Sequence, residues 1–237
     1  MERIDILGVG FNNLNLEEAV DFAYSLIDGT GKRIVTPNSE IVYAARSDAA
    51  LKSVLNESDL VVPDGVGVVL ASKILRRPLK CKVAGIELGE ALLRKMAEGG
   101  KSLFLLGAKP GVAEQAAAKL REKYPNLIIA GTHDGYFKED AGVISAIKTS
   151  GADVCFVCLG APKQEMWMSK NREEIPALML GLGGSLDVFA GNVLRAPKIF
   201  IKLGLEWFYR LCKEPWRIGR MMALPKFLLT VIFKGKR

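Results

Sequence analysis

"DVCFVCLGAPKQE", residues 153–165, is the clearest strand-to-helix unit in the chain. The run from Val154 to Leu159 is apolar without interruption, as expected of a strand covered on both faces in a parallel sheet. Gly160, Ala161 and Pro162 then break it, and Lys163, Gln164 and Glu165 begin a polar, helix-compatible stretch. Strand geometry sends residues three apart to opposite faces, so Cys155 and Cys158 read as buried free thiols rather than a redox or metal pair.

The same alternation recurs on both sides. "IDILGV", "RIVTPN", "DLVVPD", "SLFLLG", "LIIAG" and "LMLGLGG" read as further strands. Between them, Asn15 and Glu18 form a capping-box signature for a helix running to Ile27, with Gly29 and Gly31 as stop signals. Residues 85–98, 111–123 and 140–149 are further helix candidates. Strand and helix in regular alternation predict an α/β fold of Rossmann-like type: a largely parallel sheet flanked by helices, over residues 1–194.

Composition changes at Arg195. The 237 residues hold 33 Lys and Arg against 26 Asp and Glu, yet 11 of those cations and only two of the acids lie from Arg195 onward. The basic character therefore belongs to residues 195–237, which predicts an anionic partner for that stretch. Pro197, Pro215 and Pro225 each suit a first helical position, so the stretch reads as an appendage of three short helices. The first would carry Lys202, Glu206 and Arg210 on one face and Phe200, Leu203, Trp207 and Leu211 on the other; the second would align Lys213, Arg217 and Arg220. The apolar run from Met221 to Phe233 contains Pro225 and Lys226 and is shorter than the roughly 20 residues of a spanning helix. The opening "MERIDILGVG" lacks a long apolar core and cleavage site, which predicts a cytoplasmic protein, peripheral on a membrane surface.

Open α/β sheets bind ligands at the carboxyl ends of their strands. In "TPNSE", Thr36 and Asn38 are polar groups suited to a ligand, and Asn38 or Ser39 equally suits an ordinary helix cap. Asp64 in "VPDG" is placed either to take a proton from an attacking hydroxyl or to cap the next helix. "LGAKPG" offers Gly107 and Lys109, and "HDGYF" offers Asp134, Gly135 and Tyr136. "LGAPKQE" offers Gly160, Gln164 and Glu165, where glutamine brings both donor and acceptor groups. Gly184 and Asp187 belong to "GLGGSLDVFAG", whose glycines permit close approach to a diphosphate or simply make a tight turn.

Other chemistries lack their signatures. No Gly-x-x-x-x-Gly-Lys-Ser/Thr occurs, and "GVGFNN" lacks the third glycine of a dinucleotide fingerprint, which disfavours NAD. The sole histidine, His133, has no nucleophile-elbow serine, and no metal-ligand spacing is present, so neither a cofactor nor a metal is expected. A nucleic-acid grip built from the basic stretch and its aromatics is the rival from another class, disfavoured because the strand ends carry Asp, Gln and glycines.

Taken in order, "TPN" (36–38), "VPDG" (62–65), "GIEL" (85–88), "LLGAKPG" (105–111), "GYF" (135–137), "LGAPKQE", "GLGGSLDVFAG", "RAP" (195–197), "LEWFYRL" (205–211) and "EPWR" (214–217) resemble the TagA/WecG/CpsF glycosyltransferase family, with its TagA branch nearest. That resemblance implies an inverting, metal-independent transfer of N-acetylmannosamine from UDP-N-acetylmannosamine to N-acetylglucosaminyl-diphospho-undecaprenol, at the inner leaflet of the cytoplasmic membrane. Transfer of the uronic acid form is the nearest alternative. Asp64 would be the base, with Thr36, Asn38 and Gln164 positioning the sugar. Gly107, Asp134, Gly135, Tyr136 and Gly184 would line the nucleotide side. Lys109, Gly160, Glu165, Asp187 and Arg195 would complete the substrate surface. Arg210, Arg217, Arg220 and Lys82 would meet the diphosphate, Lys82 standing where relatives often carry arginine. Exposed apolar faces of the appendage would insert at the membrane or drive self-association.

Overall fold

The computed structural model describes residues 2–213, 215 and 218–234; within these, the side chains of Lys198, Lys202, Arg210, Arg220, Met221 and Lys234 are outside the description. A six-stranded, wholly parallel sheet is built from β3 (Arg33–Val35), β4 (Leu60–Val61), β5 (Ser102–Gly107), β6 (Ile128–His133), β7 (Val154–Cys158) and β8 (Leu178–Gly181). Its spatial order is β4-β3-β8-β7-β5-β6. The uninterrupted apolar strand is central: all five residues of β7 are buried. Val154, Phe156 and Cys158 face one core, and Cys155 and Val157 the other, as the period of two requires.

"IDILGV" departs from expectation. It is not a strand of the parallel sheet but half of a separate hairpin, β1 (Arg3–Ile6) paired antiparallel with β2 (Val9–Asn12). Leu7 and Gly8 both take positive φ, 56° and 92°, which reverses the chain in two residues with the hand a hairpin favours. The alternating burial of β1 suits a half-covered ribbon, whereas the sheet strands are covered on both faces.

Helices cover both faces. The first core lies under α1 (Leu16–Ser25), α5 (Gly85–Glu98), α6 (Val112–Lys123) and α9 (Ser185–Phe189). The second lies under α2 (Ser39–Ala44), α3 (Ala49–Asn56), α4 (Val66–Ile74), α7 (Asp140–Ser150) and α8 (Lys163–Lys170), and also takes in the hairpin. The capping box of α1 is complete: Glu18 N–H donates to Asn15 at 2.9 Å, and Asn15 N–H donates to the Glu18 carboxylate at 2.8 Å.

The basic stretch folds into α10 (Lys198–Lys202), α11 (Glu206–Lys213), α12 (Ile218–Met221) and α13 (Ala223–Lys234). Two expectations are corrected. Gly204, at φ 70°, ends the first helical stretch, so Lys202 and Glu206 sit on different helices and share no face. Lys213 and Arg220 likewise belong to separate helices, α11 and α12, so no single helical stripe joins them. The last helix is part of the globular body: α13 packs on α2 and α4, with Phe227 and Val231 fully buried in the second core. Those two residues are one turn apart and so share a face. Residue 195 thus marks a change in composition, and the core extends beyond it.

Candidate active site

The carboxyl ends of the six parallel strands lie along one edge of the sheet, and every strand-end residue singled out above stands there. From β3 and β7 the chain leaves for helices of the second core, α2 and α8; from β8 and β5 it leaves for helices of the first, α9 and α6. Neighbouring strands that send their helices to opposite faces leave a crevice between the diverging turns.

The middle of that edge is a tight polar cluster. Thr36 follows β3, is buried, and donates its hydroxyl to the Gly181 carbonyl of β8 at 3.1 Å. Gly85 opens α5 directly against it: a Cβ there would come within 2.9 Å of Thr36 Oγ1. The Gly85 N–H donates to Asp64 Oδ2 at 3.3 Å. Asp64 immediately precedes Gly65, the N-cap of α4, which has no side chain to make a cap bond. Its carboxylate reaches across to the first turn of α5, whose N-cap residue, Ala84, provides no side-chain bond of its own. Asn38 fills the ordinary role, accepting from Glu40 N–H at 2.9 Å and Ile41 N–H at 3.1 Å to cap α2.

Gln164 and Glu165 are both buried, at 3% and 1% exposure. The Gln164 amide is committed on both sides: Nε2 donates to Glu165 Oε1 at 2.9 Å, and Oε1 accepts from Gly183 N–H at 2.9 Å. Burial pushes the Glu165 carboxyl above its usual range, only partly offset by the Gln164 bond, and its Oε2 has no hydrogen-bond partner. Burial also raises both β7 thiols, Cys158 to about 12, so they stay protonated and unreactive at neutral pH.

The glycines divide into two kinds. Gly107, at φ 131°, has the Cys158 carbonyl where its side chain would be, 2.3 Å from an added Cβ, and Gly135 is hemmed in by Leu159 and Ala108. Packing by itself favours glycine at both positions. Gly184 is different: its φ is −84° and a Cβ would meet nothing within 4 Å. Neither strain nor crowding demands glycine there, and open space lies where a side chain would be. Gly107→Ala is accordingly expected to destabilise the fold by at least about 1–3 kcal/mol in urea unfolding.

At the β5–β6 side, Asp134 accepts from Tyr136 N–H at 2.7 Å and so shapes the turn in which Tyr136 is 68% exposed. Lys163 donates to the Gly135 carbonyl at 3.3 Å and lies 5.3 Å from the Phe137 ring centroid. Lys109 and Gly160 stand on the same rim, Lys109 exposed and Gly160 half-buried. Asp187, in α9, uses its backbone carbonyl to accept from Asn192 and Val193.

The cations assigned to a diphosphate already have protein partners or fall beyond the description. Lys82, just ahead of α5, pairs with Glu206 of α11 at 3.9 Å, and Arg195 is hydrogen-bonded to Glu87 in the first turn of α5. Arg217 and the side chains of Arg210 and Arg220 lie outside the described residues. Glu87, Glu206, Lys163 and the Gly85 N–H stand at this edge too, and the sequence patterns that contain them assign them no role in the site. Their partners are distant in sequence, where helical or strand spacing carries no signal. Among the described residues no group of three or more His, Cys, Asp or Glu could hold a metal ion.

The sequence profile described as "Glycosyl transferase WecG/TagA/CpsF family" matches residues 4–237. Three curated proteins similar to this chain bear the name N-acetylglucosaminyldiphosphoundecaprenol N-acetyl-beta-D-mannosaminyltransferase. That of Bacillus subtilis (strain 168) is 39% identical, covering 100% of this chain and 93% of its own length. That of Bacillus spizizenii (strain ATCC 23059 / NRRL B-14472 / W23) is 41% identical over 87% of this chain and 80% of its own. That of Staphylococcus aureus (strain MW2) is 38% identical over 99% and 94%.

Proposed function

The chain belongs to the WecG/TagA/CpsF family of glycosyl transferases, and from that premise we propose that it transfers N-acetylmannosamine from UDP-N-acetylmannosamine to a lipid-linked N-acetylglucosaminyl diphosphate, with inversion. The names of the similar proteins support this donor sugar and acceptor. The observation that carries the mechanism is the placement of Asp64: just past the end of β4, where its carboxylate accepts from the first N–H of α5, the same residue that packs on Thr36.

Inversion in one step requires the acceptor hydroxyl to attack the anomeric carbon from the face opposite the UDP. As the new C–O bond forms, the bond from that carbon to the β-phosphate oxygen breaks, and the electron pair leaves with the diphosphate. The hydroxyl proton passes to Asp64. Thr36, Asn38 and Gln164 hold the strand ends around the sugar; Gly184 and the turn before it leave room for the diphosphate. Lys82 and the arginines of residues 195–237 supply the positive charge that the leaving diphosphate needs.

The lipid acceptor places the reaction at a membrane surface. No helix among the described residues is long and apolar enough to cross a membrane. Ile199 and Leu203 of the basic stretch are 64% and 65% exposed, which supports peripheral binding through apolar side chains set among cations.

The test is UDP release from UDP-N-acetylmannosamine in the presence of a lipid-diphosphate-N-acetylglucosamine analogue, with and without chelator, with the uronic acid donor as competitor. Release that needs both the analogue and the N-acetylmannosamine donor is expected. Faster turnover of the uronic acid donor would reassign the substrate. Gly184→Ala is expected to leave thermal stability unchanged and to raise the donor KM by about tenfold, because a methyl group would enter the space left for the diphosphate.

A further inference from the structure

A carboxyl group at 1% exposure with one oxygen unpartnered is costly, and Glu165 sits directly behind the crevice in the first turn of α8. Among the described residues no cation is paired with it, and the side chain hydrogen-bonded to it is that of Gln164. That bond has a consequence for the amide it touches. The Gly183 N–H can only donate, so it requires the Gln164 oxygen, and Glu165 Oε1 holds the opposite end by accepting from Nε2. Without an acceptor at position 165, the Gln164 orientation rests on the Gly183 N–H alone, and the buried Nε2 loses the partner that fixes its end of the amide. Gly183, at φ 55°, begins the turn that leads from β8 into α9, and both Gly183 and Gly184 face open space.

We propose that Glu165 is a positioning residue for the donor: acting through Gln164, it holds the Gly183–Gly184 turn in the conformation that receives the nucleotide diphosphate. This rests on the UDP-sugar reading above. Glu165 touches no substrate; it acts as a buried acceptor, a role the neutral acid fills. The cost of placing it there depends on pH in a defined direction. Below about 4.5, its ordinary value, the group is neutral in the folded and unfolded chain alike. As pH rises past that value the unfolded chain ionises first, so the folded state loses stability until the raised folded-state pKa is passed.

The experiment compares UDP binding by calorimetry in the full chain, Glu165→Gln and Glu165→Leu, with unfolding followed from pH 4 to pH 8. The Gln variant keeps an acceptor oxygen and is expected to bind UDP within about threefold of the parent, while the Leu variant weakens UDP by about tenfold or more. Both variants should lose the pH-dependent decline in stability, so weakened binding in Glu165→Leu would accompany equal or greater stability at neutral pH. A merely structural residue would show the reverse. Exchange of the Gly183 amide proton should quicken in the Leu variant and stay slow in the Gln variant. Normal UDP affinity in Glu165→Leu overturns the proposal, and so does an equal loss in Glu165→Gln, which decides the matter alone if the Leu variant does not fold. Failure of the unsubstituted protein to bind UDP would instead overturn the donor reading.

Discussion

Replacing Asp64 with asparagine is expected to lower kcat by about 10²- to 10⁴-fold while leaving UDP affinity within about threefold of the parent. The amide has the carboxylate's shape and retains an oxygen that accepts from the Gly85 N–H, so the first turn of α5 keeps its partner. What it lacks is the capacity to take the acceptor's proton. Asp64→Ala separates the two duties further, since it removes base and partner together. Alanine should add a stability loss of about 0.5–2 kcal/mol, the usual cost of an emptied helix cap, on top of the lost turnover. Turnover assays and urea unfolding on the pair therefore distinguish a base from a strut. Near-normal turnover in Asp64→Asn would leave the carboxylate with the strut's role alone.

Much of this geometry was legible because it depends on local patterns. The uninterrupted run from Val154 to Leu159 announced a strand covered on both faces, and β7 lies in the middle of the sheet. Asn15 and Glu18 announced their capping box, and the strand-end rule led to Thr36 and Asp64. What stayed hidden depends on partners far away in the chain. Gln164 and Glu165 look like a solvated first helical turn. They are buried because the turn after β7 directs that side of α8 inward, toward Gly183. Gly107 and Gly184 are indistinguishable as letters, yet the Cys158 carbonyl crowds one and open space faces the other. The pairings of Lys82 with Glu206 and Arg195 with Glu87 join α5 and the turn just ahead of it to the basic stretch across more than a hundred residues. Gly204 reads as a weak interruption in an amphipathic pattern, but its left-handed backbone divides one expected helix into two.

Phe227→Ala is expected to destabilise the whole protein by about 3–5 kcal/mol in urea unfolding, because its ring is fully buried in the second core against α2 and α4. That expectation changes how membrane association must be tested. Deleting residues 197–237 would strip Phe227 and Val231 from the core, and a loss of activity would then report unfolding as readily as a lost membrane contact. The exposed apolar side chains offer a cleaner experiment. Ile199, Leu203 and Phe208 stand out from α10, from its C-cap and from α11; Leu203 caps through its backbone N–H, which serine keeps, and exchanging exposed surface side chains usually changes stability by less than about 0.5 kcal/mol. Each side chain contributes about 1.5–3 kcal/mol when fully removed from water, so partial insertion of all three would amount to more than about tenfold in partitioning. A triple serine variant should therefore fold and bind UDP normally while separating from anionic vesicles that retain the parent protein. If it floats with those vesicles as well as the parent does, these three side chains do not hold the chain at the membrane, and the cations of the same stretch must suffice.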